Sequence, residues 1–229
     1  MRRSIIVSAV VVTALAFAPP AYADNRDSLR WAGYTSDVDE GSFDRISARW
    51  FVPRIECADG EDGTEVAQWI GLDGVGDDFV EQVGTTSECA GDSRGRPKYF
   101  AWVESFPEPA KRLFQVRPGD EIRAWVDLDG GRFRYEVHDV TLERLAGGKL
   151  ATHGPGRSAE AVVEAPPGAR LPDFDTARFR DVLVDGDPIG DLDPDRVTLV
   201  RAGEPRVVRA KPTALSDDGR DFDVRFRAR

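Results

Sequence analysis

Nowhere does this chain hold a 3.6-residue apolar period for long. Short apolar or alternating runs follow one another instead, each stopped by Gly, Pro, Asn or Asp. A run too short for a helix, bounded by turn residues and rich in Val, Ile, Phe, Tyr and Trp, reads as a strand. About a dozen such runs with tight turns point to an all-β chain, an antiparallel sandwich. Arg45–Pro53, Lys98–Phe106 and Glu121–Leu128 are the clearest. In the last of these Ile122, Ala124, Val126 and Leu128 share one face. Asp129-Gly130-Gly131 turns it into a partner in which Phe133, Tyr135 and Val137 share a face. Gly147-Gly148 reads as a further turn between strands at 140–145 and 149–153, and the stretch near Pro107–Phe114 has room for a short helix. Later strands are expected at 179–184, 197–201, 206–210 and 222–227.

The first 23 residues stand apart from this pattern. Arg2 and Arg3 precede an apolar run of 13 residues, Ile5–Phe17, and Ala21-Tyr22-Ala23 is a small-x-small cleavage site. The run falls short of the roughly 20 residues of a membrane span. A secretory signal peptide over 1–23 is therefore expected, with a single sandwich domain over 24–229, secreted and free of the membrane. Removing two arginines and no acid would take the formal charge from −10 to −12. So acidic a surface argues against nucleic acid as partner. Export also permits the two cysteines, Cys57 and Cys89, to pair as a disulfide.

The densest stretch is 65–84. Two apolar runs, one carrying Trp69 and the other Gln82, flank a Gly/Asp loop. Alternation puts Val80, Gln82 and Gly84 on one side of the second run, and Phe79, Glu81 and Val83 on the other. Gln82 is then either a surface amide or a working one. Downstream, Glu160, Val162 and Glu164 fall in one phase, as solvated acids or as acids aimed into a groove. Trp31, Trp50, Trp69, Trp102 and Trp125 are core residues or the wall of a cleft. The acidic segment Asp185–Asp195 lacks the closing Glu of a calcium loop and reads as solvated.

Several chemistries drop out. Of the two histidines, His138 and His153, neither lies by a Gly-x-Ser-x-Gly elbow, which is absent from the chain. The cysteines have no histidine nearby, and two cysteines with two distant histidines make no metal cluster. No phosphate-cradling glycine loop is present. Carboxylate and amide chemistry remain, and they call for no cofactor and no metal.

The motifs, in order, are Trp31-Ala-Gly-Tyr34, Arg45-Ile-Ser-Ala-Arg-Trp-Phe-Val-Pro53, Trp69-Ile-Gly-Leu-Asp-Gly74, Glu81-Gln-Val-Gly84, Tyr99-Phe-Ala-Trp-Val-Glu-Ser-Phe-Pro107, Val116-Arg-Pro-Gly-Asp120, Ala159-Glu-Ala-Val-Val-Glu164 and Leu171-Pro-Asp-Phe174. Their order and spacing resemble the glutamic peptidases, or eqolisins, over most of residues 31–200. That resemblance implies a sandwich of two antiparallel sheets, similar to the concanavalin-like lectins. It implies Gln82 and Glu164 as a catalytic pair. Trp31, Trp69, Asp73, Trp102 and Glu104 would surround the pair as substrate-binding residues. The expected protein is a secreted endopeptidase, metal-free, working at acid pH as a monomer on protein or peptide substrates. Two other readings stay open: a sandwich that binds peptide or carbohydrate without catalysis, and a glycosidase using Glu104 and Glu164. The chain departs from the fungal members in its 31 Lys and Arg residues. It is also expected to lack their long propeptide.

Overall fold

The structure, a computed structural model, describes residues 25–57, 63–89, 96–166, 170–203 and 207–229. The expected signal peptide lies outside them. Sixteen strands follow in chain order: β1 (Asn25–Ser28), β2 (Trp31–Asp37), β3 (Arg45–Phe51), β4 (Thr64–Leu72), β5 (Val80–Cys89), β6 (Lys98–Phe106), β7 (Lys111–Gln115), β8 (Glu121–Asp129), β9 (Arg132–Asp139), β10 (Arg144–Ala151), β11 (Ser158–Glu164), β12 (Thr176–Val184), β13 (Asp187–Pro188), β14 (Asp195–Arg201), β15 (Val207–Pro212) and β16 (Phe222–Phe226). The helical element among the described residues is one 3₁₀ turn, Ile189–Leu192, inside the acidic segment.

The strands form one path, β10-β9-β8-β3-β12-β16-β15-β14-β2-β11-β4-β5-β6-β7, with β1 parallel to β14 and β13 on β12. The sheet curls over on itself, so β3, β8, β9 and β12 pack as one layer against β4, β5, β6 and β11 as the other. It is the all-β antiparallel sandwich that the turn-punctuated sequence predicts. Alternation decides what fills the space between layers. Ile46, Ala48 and Trp50 of β3 and Ile122, Ala124 and Val126 of β8 point inward, opposite Ile70, Leu72 and Val83. Trp50 donates its indole N–H across the gap to the Thr85 hydroxyl, 3.0 Å away. A buried indole N–H without such a partner would be costly, so this bond helps fix how the layers meet.

Cys57 and Cys89 are bonded, joining the segment after β3 to the end of β5. Cross-linking residues 32 apart restricts the unfolded chain and contributes roughly 3–4 kcal/mol.

Two local expectations are corrected, and one open alternative is closed. The residues near Pro107–Phe114 form no helix: Lys111–Gln115 is strand β7, paired with β6. The outer edge of β6 needs hydrogen-bond partners, and a strand supplies them where a helix cannot. Gly147-Gly148 is not a turn either. β10 runs through it in unbroken register with β9, and a Cβ on Gly148 would lie 3.1 Å from the Tyr135 hydroxyl. The turn falls at 140–143, where Asp139 accepts the Leu142 N–H at 3.0 Å. Gly130 and Gly131 do turn the chain, with φ of 58° and 76°. Two residues at positive φ are what a two-residue hairpin of this twist requires. Finally, Glu160 and Glu164 are not solvated acids. Glu160 is fully buried, and Glu164 is largely withdrawn from water.

Candidate active site

In the layer β11-β4-β5-β6, residues of both phases are buried along most of β11, β4 and β5. Its odd β5 residues enter the core, and its even ones line a cleft of about 470 Å³ on the opposite face. Pairing sets the floor of this cleft row by row. Trp69 stands opposite Val162 on one side and Gly84 on the other, and Gly84 stands opposite Trp102. Gln82 stands opposite Glu104. Glu164 closes β11 opposite Ala67 of β4 and Trp31 of β2. Trp31 meets Trp69 edge to face, with ring centroids 5.3 Å apart and planes at 84°.

Trp31, Trp69, Trp102, Gln82, Glu104 and Glu164 therefore line one cleft. Asp73 does not, which corrects its expected place on the cleft face. It is fully buried, and its carboxylate accepts the N–H groups of Gly156 and Arg157 at 2.7–2.8 Å. The reason is local. The chain turns at Asp73 with φ of 73°, which sends the side chain under the sheet toward the 152–157 segment. There Asp73 is an anchor for backbone amides. The tryptophans divide by strand phase: Trp50 is core, and Trp125 lies on the outer face under Arg45, 4.3 Å from its ring centre.

Two polar contacts organise the cleft. The Trp69 indole N–H donates to Glu164 Oε2 at 2.8 Å. The Gln82 amide nitrogen donates to Glu104 Oε2 at 2.6 Å. Gln82 Oε1 and Trp102 Nε1 are buried without a protein partner among the described residues. Buried polar atoms in that state mark where water or a ligand belongs.

Burial raises Glu164 above the ordinary carboxylate range, opposed by the Trp69 hydrogen bond, the Trp31 indole and the charge of Arg30. Burial also raises Glu104, and the neighbouring charge of Glu164 adds to the effect. Glu104 thus senses the charge of Glu164 across the cleft. An acid of raised pKa titrates closer to a working pH, as proton transfer requires.

Sequence reasoning missed Glu65, Val80, Thr86 and Phe100, which also line the cleft. The signal was there. Glu65 shares the phase of Trp69, Val80 and Thr86 share that of Gln82, and Phe100 shares that of Trp102. Extending each alternation by one or two steps finds them. Asp77 comes from the β4–β5 connection and carries no such periodicity; Phe79, expected on the Glu81 face, lines the cleft instead, because β5 begins only at Val80 and alternation does not extend into the connection.

Residues 29–219 match the model of the peptidase A4 family. A comparison with curated proteins finds no match. Among solved structures, scytalido-glutamic peptidase with a transition state analog inhibitor superposes with a TM-score of 0.67 at 18% identity, covering 86% of this chain and 98% of that one. SCP-B, a member of the eqolisin family in complex with the tripeptide Ala-Ile-His, gives 0.66 at 18% identity, covering 86% and 98%. Aspergilloglutamic peptidase from Aspergillus niger gives 0.56 at 19% identity, covering 72% and 99%. At such identities these likenesses speak for the fold, while the sequence model spans most of the chain. The chain belongs to the peptidase A4 family, the glutamic peptidases or eqolisins, and is a peptidase.

Proposed function

We propose that the protein is an endopeptidase in which Glu164 and Gln82 carry the hydrolysis, without a metal, at acid pH. The observation that carries this reading is the Gln82–Glu104 hydrogen bond in the cleft that also holds Glu164. Peptide hydrolysis needs an activated water, a stabilised oxyanion and a protonated leaving amine. Ionised Glu164 takes a proton from water as the oxygen attacks the carbonyl carbon, then returns a proton to the departing nitrogen. Gln82, aimed by Glu104, offers an amide N–H to the developing oxyanion and a free carbonyl oxygen to orient the water. Trp31, Trp69 and Trp102 form an apolar wall that excludes bulk water and strengthens these contacts. We further propose that residues 1–23 are a signal peptide and that 24–229 are exported as the peptidase domain. Among the described residues no helix is long and apolar enough to cross a membrane.

Activity on denatured casein is expected to survive an excess of metal chelator unchanged. Activity that vanishes with the chelator and returns with added metal would overturn the metal-free mechanism. Incubation with polysaccharides separates the glycosidase reading, which predicts released sugar and intact casein.

The pH profile tests Glu164 itself. The base must be ionised, and burial holds its pKa above the usual range, so the acid limb of kcat/KM lies above the ~4.3 of a free glutamate. Replacing Trp69 with Phe removes the donor to the ionised form. Glu164 then protonates more readily, and the acid limb shifts to higher pH. The loss of kcat/KM should be several-fold greater near pH 4 than near pH 6. An equal loss at both would show that Trp69 acts by packing alone.

A further inference from the structure

Glu160 has no part in the hydrolysis just described, yet it lies on the same strand face, four residues before Glu164. It is fully buried, under Trp31 and the connection between β4 and β5. Its Oε1 accepts the Gly74 N–H at 3.1 Å. Its Oε2 has no partner among the described residues. A Cβ placed on Gly74 would lie 2.9 Å from Trp31 Cη2 and 3.2 Å from Glu160 Cδ. Carboxyl, glycine and indole therefore form one tight stack that ends at the cleft.

The neighbouring amides bind the same strand. Asp73 N–H donates to the Ser158 carbonyl at 2.9 Å, and Val75 N–H donates to the Ser158 hydroxyl at 3.0 Å. Three successive amides of the 73–79 connection thus hang on β11. That connection supplies Gly74, Asp77 and Phe79 to the cleft wall and leads into Val80, two residues before Gln82.

The charge that acts most directly on Glu160 is that of Asp73. Asp73 in turn lies against Glu81 of β5 and feels Asp77. The 152–157 segment brings backbone amides of His153, Gly156 and Arg157 to Glu81 and Asp73. β2 brings the neutral Trp31, and the next acid along β11 is Glu164. The Ser158 hydroxyl and the Gly74 N–H favour the ionised form, but among the described residues no cation faces it, and a fully buried carboxylate without one is costly. Burial accordingly pushes Glu160 up to about 8.

We propose that Glu160, as the neutral acid, is a positioning residue: it holds the 73–79 connection and Trp31 in place, and its ionisation releases this wall of the cleft. The inference rests on the reading of the cleft as the active site. The sign follows from linkage. A carboxyl raised in the folded state contributes stability fully present below the unfolded value, ordinarily about 4.5, and lost as pH rises through about 8. The cleft is therefore intact in acid and loosens in mild alkali.

Glu160→Gln tests this, since the amide keeps the shape, accepts the Gly74 N–H and cannot ionise. Near pH 5 its kcat/KM should stay within about threefold of wild type, and its alkaline limb should move to higher pH. Glu160→Ala, which removes the acceptor, should raise KM at least tenfold across the profile. The same pair is compared in a Glu164→Gln background by tryptophan fluorescence and melting temperature against pH. The alkaline transition should shift upward with Glu160→Gln there too. An alkaline transition unmoved by Glu160→Gln overturns the proposal, as does a folded Glu160→Gln variant that is inactive in acid. Activity persisting in Glu164→Gln would instead count against the catalytic assignment, and the fluorescence transition would still report on Glu160.

Discussion

Glu164→Gln is expected to lower kcat/KM on denatured casein by about 10⁴-fold, with the protein folded and still able to bind peptide. One positioned acid–base group contributes typically 10²–10⁴-fold, and in the proposed mechanism Glu164 serves both proton transfers, so the upper figure applies. A glutamine there keeps the volume and can still accept the Trp69 N–H through its carbonyl oxygen, so the wall need not move. Stability should not fall. Burial raises the Glu164 pKa in the folded state, so its stabilising contribution is present in acid and is lost as pH rises. The neutral amide escapes that loss, and the variant should melt at or above wild type near neutral pH. Gln82→Ala is expected to cost about 10²–10³-fold, the worth of one aimed oxyanion donor. The double variant should be little worse than Glu164→Gln alone, because groups that act on one transition state do not add. Circular dichroism and single-turnover kinetics on both variants check this. A folded Glu164→Gln variant retaining a tenth of the activity would end the assignment.

What could be read without coordinates follows strand phase. Trp69 and Gln82 lie in runs whose alternation is plain, and their phases carry through to the cleft floor, since pairing in register preserves them across strands. Asp73 shows where such reading stops. It sits inside the same motif, but a single residue at positive φ sends its carboxylate beneath the sheet, and no periodicity spans that turn. Gly147-Gly148 failed for a different reason. Glycine signals a turn when the backbone needs positive φ, and here it makes room for the Tyr135 ring from the next strand. The 107–114 region failed because its fate depends on the bare edge of β6, a tertiary need that local sequence does not encode. Glu160 and Glu164 stand at one phase of a strand. Periodicity could say that they share a face, but not that neighbouring strands would set Trp31 and Trp69 beside them and withdraw both acids from water.

Gly84→Ala is expected to destabilise the fold by about 3 kcal/mol and to lower kcat/KM by about 100-fold. A Cβ at this position would lie 2.6 Å from Trp69 Cβ, 2.6 Å from Trp102 Cζ2 and 2.8 Å from the Gln68 carbonyl oxygen. Rotating the Trp102 ring would relieve one of these contacts. The other two belong to the body of β4, opposite Gly84 in the ladder, so the strands themselves must part. That parting acts on both halves of the proposed pair. Trp69 holds Glu164 through its indole N–H, and Gln82 stands two residues from Gly84 on β5. Reactive geometry tolerates shifts of well under an ångström, so misplacement of this kind costs rate as well as stability. The variant should also show the mark of a lengthened Trp69–Glu164 bond, an acid limb moved to higher pH, as in Trp69→Phe. Wild-type melting and activity in Gly84→Ala would mean that the two tryptophans are not packed across this glycine. Lost stability with an unmoved acid limb would mean that the Trp69–Glu164 contact does not set the pKa of the base.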